Sequence, residues 1–266
     1  MDKDRLKKLA EDPRFIPSIY NYCDRWCERC PFTTRCLNFA LGEEEFDHLE
    51  TQDLDNEIFW KKLSETFQVT LELLQEAAEE QGIDLNSVEI EEFEEQERLN
   101  DELARDHECS RAAKLYSEMV SDWLDSAREL FAQDEDEMDS DESLDLEDAP
   151  PVEKDTSFME AVEVVGWYQH QIYVKLMRAI RGGLQEELEI LEEYPKDSDG
   201  SAKVALIGID RSIAAWGEIR NLFPHRSNQI MDILVHLEQL RRKVEKTFPD
   251  ARAFIRPGFD KIDLNS

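Results

Sequence analysis

From residue 109 to residue 127 the apolar side chains fall three or four positions apart: Cys109, Ala113, Tyr116, Val120, Trp123 and Ala127. An α-helix turns once in about 3.6 residues, so that spacing puts all six on one face. The same spacing recurs along most of the 266 residues. Strand-like alternation of useful length is absent, and only nine Gly and nine Pro interrupt the pattern. The chain is therefore expected to be all-α: a multi-helix bundle with a small N-terminal four-cysteine lobe.

Stop and start signals place the elements. A helix over 2–11 is stopped before Pro13, a second is predicted over 17–30 between Pro17 and Pro31, and a third runs from Thr33 or Thr34 to about Leu41. Asp53 or Asp55 caps a long helix that reaches Gln81, with Gly82 as its stop. Its core face reads Ile58, Phe59, Leu63, Phe67, Thr70, Leu71 and Leu74. Another helix covers 87–131 with a break near Asn100. Helices over 156–181 and 183–193 are separated at Gly182-Gly183, and YPKDSDGS (194–201) forms a loop. Helices over 202–222 and 226–247 flank Pro224, and the tail from Pro249 is irregular. The organisation reads as a lobe at 1–50, a first bundle half at 51–132, a disordered acidic linker at 133–151, and a second bundle half at 152–266.

Net charge is −32, with the acid concentrated between two weakly basic ends. A surface of that sign repels phosphate backbones, so nucleic acid is an unlikely partner. The N-terminus is charged and lacks the apolar core of a signal peptide, and no segment has the roughly 18 apolar residues of a membrane span. These features predict a cytoplasmic chain without a membrane partner, in which thiols stay reduced.

Four of the five cysteines lie in YNYCDRWCERCPFTTRC: Cys23, Cys27, Cys30 and Cys36. On a helix over 17–30 the first three would share one face, with Cys36 in the first turn of the next helix. Arg25, Arg29 and Arg35 can offset thiolate charge. Tyr20, Tyr22, Trp26, Phe32 and Phe39 can wall the site. Three readings compete: four apolar core residues, a Cys27/Cys30 redox dithiol, or a metal site with four cysteine ligands. In a reducing compartment the crowding favours metal. Structural zinc usually takes two separated pairs, whereas tight runs of four wrap iron–sulfur clusters. A [4Fe-4S] cluster is the first expectation and zinc the alternative.

CERCPFTTRC resembles the iron–sulfur loop of endonuclease III-type DNA glycosylases and of CRISPR-associated iron–sulfur nucleases. The resemblance covers about ten residues and implies a ligand role for Cys27, Cys30 and Cys36. The Gly-rich hairpin and strand-borne carboxylates of those enzymes have no counterpart, so no nuclease activity is implied.

A second group of candidates lies in the helices. Glu163 and His170 are seven apart with Trp167 between them, and Asp210 shares a stripe with Leu206 and Ile213. Glu163, His170 and Asp210 are expected to face the core and, with Asp106 or His107, to line a polar pocket able to bind metal, or else to pair with arginines such as Arg178 or Arg211. The leading expectation is a metal-binding helical protein with an interaction or regulatory role and a protein partner. A metal-dependent enzyme using the carboxylate/His pocket is the alternative, and a nucleic-acid processing factor the third.

Overall fold

The computed structural model describes residues 3–45, 55–82, 90–138, 152–186 and 196–260. Side chains 44–45, 90–92, 128–138, 152–156 and 186 lie outside that description. Among the described residues there are eight α-helices and no strand, as an all-α chain requires. They are α1 Lys3–Ala10, α2 Leu37–Glu45, α3 Glu57–Glu80, α4 Ile90–Asp106, α5 Glu108–Met138, α6 Val152–Glu186, α7 Asp197–Leu222 and α8 Ser227–Thr247. Contacts divide the chain into two compact units. One is Met1–Arg98 with Ile255–Ser266, and the other is Leu99–Phe254.

The larger unit is a four-helix arrangement in which α5 meets α6 and α8, and α7 meets the same two. The stripe read from the sequence forms its core: Cys109, Ala113, Tyr116, Val120, Trp123 and Ala127 are all buried. Trp123 meets Trp216 edge-on at 5.0 Å, and the Trp216 indole N–H donates to the buried Tyr116 hydroxyl at 3.2 Å. Helices α6 and α7 pack most closely. A Cβ added at Gly208 would stand 2.9 Å from Tyr168 Cδ1, so glycine there permits the approach.

Several boundaries differ from expectation. The break foreseen near Asn100 lies at His107. The His107 carbonyl accepts from Arg111 N–H at 3.0 Å and its Nδ1 accepts from Cys109 N–H at 3.2 Å. Both bonds belong to a helix N-cap, so the imidazole starts α5. Helix α5 runs to Met138, into the segment expected as an acidic linker; 139–151 lie outside the described residues. Helix α6 passes through Gly182-Gly183 instead of breaking there. Each glycine costs a helix about 1 kcal/mol, but at Gly182 the missing side chain admits α7, whose Ser198 N lies 3.5 Å from where a Cβ would be. Helix α7 accordingly begins at Asp197, within the expected loop. The piece expected over 183–193 is helical to Glu186, and 187–195 lie outside the described residues.

In the smaller unit, α3 is capped by Asn56, whose side chain accepts from Ile58 N–H at 3.0 Å, rather than by Asp53 or Asp55. Gly82 follows the helix with φ +69°, as a C-terminal glycine stop does. The predicted core face of α3 is corrected. Phe59 and Leu63 are half-buried, but Ile58, Phe67, Leu71 and Leu74 are exposed, as is Trp60. Periodicity assigns residues to one face but does not supply a neighbour to cover it.

The predicted 17–30 helix is also overturned. Three short 3-10 turns, Ile19–Asn21, Cys27–Arg29 and Thr33–Arg35, occupy the segment up to α2. Ser18 and Arg25 adopt left-handed backbone, φ 59° and 60°. The Asp24 carboxylate accepts from Trp26 N–H at 3.3 Å. Short polar side chains compete with the helical ladder in this way, and the bends bury Ile19 and Trp26.

Candidate metal centre

The turns bring the thiols together by a different route from a helical face. Cys23 follows the first turn, Cys27 and Cys30 open and close the second, and Cys36 closes the third. The Cys36 carbonyl then accepts from Ala40 N–H at 3.0 Å, which places it at the start of α2. All four cysteines are free, half-buried, and line one cavity of about 20 Å³. Tyr20, Trp26, Phe32 and Phe39 form its wall, as expected, together with Ile19, Asp24, Arg25 and Thr33, whereas Tyr22, also expected there, does not line it.

The electrostatics follow from that convergence. Burial pushes the Cys27 thiol above its ordinary range, and Cys23, Cys30 and Cys36 push it the same way. Cys30 is raised chiefly by burial too, opposed by the Phe32 N–H that donates to its sulfur at 3.4 Å. Cys27 and Cys30 therefore resist ionisation, and a cation bound there would reverse that preference. Of the three arginines expected to supply positive charge, Arg25 borders the cavity. Arg29 lies over the Trp26 ring at 4.3 Å, and the Arg35 guanidinium donates to the Arg14 carbonyl at 3.5 Å.

The chain's far end completes the wall. Phe259 lines the cavity and meets Phe32 edge-on at 5.1 Å. Gly258, with φ +78°, lies so close to Ile16 and Ile19 that a Cβ would stand 2.9 and 3.0 Å from their Cδ1 atoms. The sequence reading missed both residues. The available signal was local: Pro257-Gly258 is a turn dipeptide, and the Arg256 carbonyl accepts from Phe259 N–H at 3.2 Å across it.

Among the described residues, no three His, Cys, Asp or Glu side chains are grouped closely enough to hold a single metal ion. Tetrahedral zinc, with bonds of about 2.3 Å, needs sulfurs roughly 3.8 Å apart. A cluster with several irons between its thiolates suits a wider set. The enclosed space, about 20 Å³, is small for such a group. Preformed metal sites are rare before the metal binds.

The second set of candidates does not form the expected core-facing pocket. Glu163 and His170 are exposed, and His170 Nδ1 lies 3.0 Å from Ser117 Oγ. Asp210 is half-exposed, paired with Arg252 at 2.6 Å and Arg241 at 3.5 Å. Arg178 and Arg211, named as examples of arginines that could pair with the carboxylates, engage Asp197 and the Tyr168 hydroxyl. His107 borders a separate cavity with Ile180, Lys196, Ser198 and Phe248, to which Glu163, His170 and Asp210 do not contribute. The helical stripes that suggested burial are wide enough for their edges to reach water. No family model matches the chain, and neither a curated protein nor a solved structure is similar to it.

Proposed function

We propose that the chain is a metal-binding helical protein whose Cys23, Cys27, Cys30 and Cys36 hold a [4Fe-4S] cluster, with zinc as the alternative, and that it serves an interaction or regulatory role. The observation that carries this reading is the convergence of all four thiols on one cavity. The donor set is entirely sulfur, which suits iron–sulfur and zinc chemistry. The crowding of the four cysteines in sequence favours the cluster over a single ion. The bound group would tie together turns that otherwise bury little beyond Ile19 and Trp26, so its binding free energy would contribute to folding.

The interaction role is supported by α3, in the same compact unit. Trp60, Phe67, Leu71 and Leu74 are 56 to 61% exposed, and contiguous exposed apolar residues usually meet a partner. A protein partner fits better than a phosphate backbone, given the net charge of −32. The free cysteines fit a reducing compartment such as the cytoplasm. No helix among the described residues is long and apolar enough to cross a membrane. The enzyme alternative rested on a shared pocket and lacks that support.

Anaerobic purification with elemental analysis tests the proposal. A visible absorption band with about four irons and four labile sulfides per chain is expected, and Cys30→Ser should abolish it. One zinc per chain would select the alternative. A chain that takes up neither iron with sulfide nor zinc would refute the metal reading.

A further inference from the structure

We propose that the C-terminal turn Arg256–Asp260 is part of the metal site, with Phe259 closing the sulfur-lined cavity against water and Gly258 allowing the turn to reach it. This inference rests on the metal reading but concerns residues at the opposite end of the chain from the cysteines.

Three observations carry it. Phe259 borders the same cavity as all four cysteines, and its ring packs against Phe32, two residues beyond Cys30. The turn is built rather than loosely draped. Arg256 lies over the Phe259 ring at 4.9 Å, pairs with Asp260 at 3.1 Å, and donates its own N–H to Asp260 at 2.9 Å. That pair is 15 and 23% exposed, well shielded for a surface ion pair. Finally, Gly258 occupies a left-handed conformation pressed against Ile16 and Ile19, where a side chain would both strain the backbone and crowd the lobe. The hydrophobic shell around a metal controls solvent access. The cysteines are only half-buried, so Phe259 adds to the cover that Tyr20, Trp26, Phe32 and Phe39 provide.

The test uses the full chain in wild-type, Phe259→Ala and Phe259→Leu forms. One arm measures iron loss from anaerobically reconstituted protein challenged with a ferrous-iron chelator. The other measures iodoacetamide labelling of each cysteine in metal-free protein by mass spectrometry. Cys109, fully buried in the other compact unit, is the internal reference for folding. Phe259→Ala should speed iron loss and labelling of the four cysteines several-fold, leaving Cys109 labelling unchanged. Phe259→Leu, which keeps apolar bulk, should fall between alanine and wild type. Unchanged rates in both arms overturn the proposal, and so does faster labelling without faster iron loss. If wild type takes up no iron, the metal reading fails, and the labelling arm alone decides whether Phe259 covers the thiols.

Discussion

Replacing His107 tests whether this residue serves as a helix cap. Its Nδ1 accepts the Cys109 N–H at 3.2 Å, and Cys109 is fully buried, so water is poorly placed to substitute. His107→Ala removes that acceptor and should cost about 1 kcal/mol, within the 0.5–2 kcal/mol range for caps. His107→Asn restores a good cap and should return most of the loss. The cap also makes stability depend on pH. An accepting Nδ1 requires neutral imidazole, and burial holds the His107 pKa below its ordinary value. As pH falls below about 6.5, the unfolded chain binds the proton before the folded one does. The contribution is therefore complete above that pH and is lost as pH falls through the depressed folded value. Urea unfolding followed by the fluorescence of the five tryptophans, of which Trp123 and Trp216 are buried in the same compact unit as His107, should be run at pH 7.5 and 5.5. The many carboxylates titrate in both proteins, so the informative quantity is wild type minus His107→Asn. That difference should shift against wild type at the lower pH. A difference independent of pH would refute the capping role.

Tyr116→Phe should leave the buried Trp216 indole N–H without its acceptor and cost about 1–3 kcal/mol in the same unfolding assay. A loss near zero would mean that another acceptor replaces the hydroxyl. Asp210→Asn removes ion pairs to Arg252 and Arg241 that are well exposed to water, so it should cost only about 0.5–1 kcal/mol. Metal content after reconstitution should be unchanged, and a loss of bound metal would revive a ligand role for Asp210.

The sequence alone determined what short-range periodicity and composition control. The stripe from Cys109 to Ala127 was legible because a helix repeats its environment every turn, and all six residues are buried. Gly82 was legible as a stop because a left-handed position favours glycine. The four cysteines were legible as a group because they are crowded in sequence, and they line one cavity. Tertiary structure decided how they get there. Apolar spacing suggested a helix over 17–30, but left-handed backbone at Ser18 and Arg25 breaks it into turns that bury Ile19 and Trp26. It also carried α6 through Gly182-Gly183, since the bare backbone admits Ser198. Glu163 and His170 sit at the edge of an apolar stripe, and only the neighbouring helices determine which edge water reaches. Phe259 joins a cavity built by residues 19–39 through contacts between the two ends of the chain. Local spacing carries no record of such a contact, because its free energy depends on a partner far away in sequence.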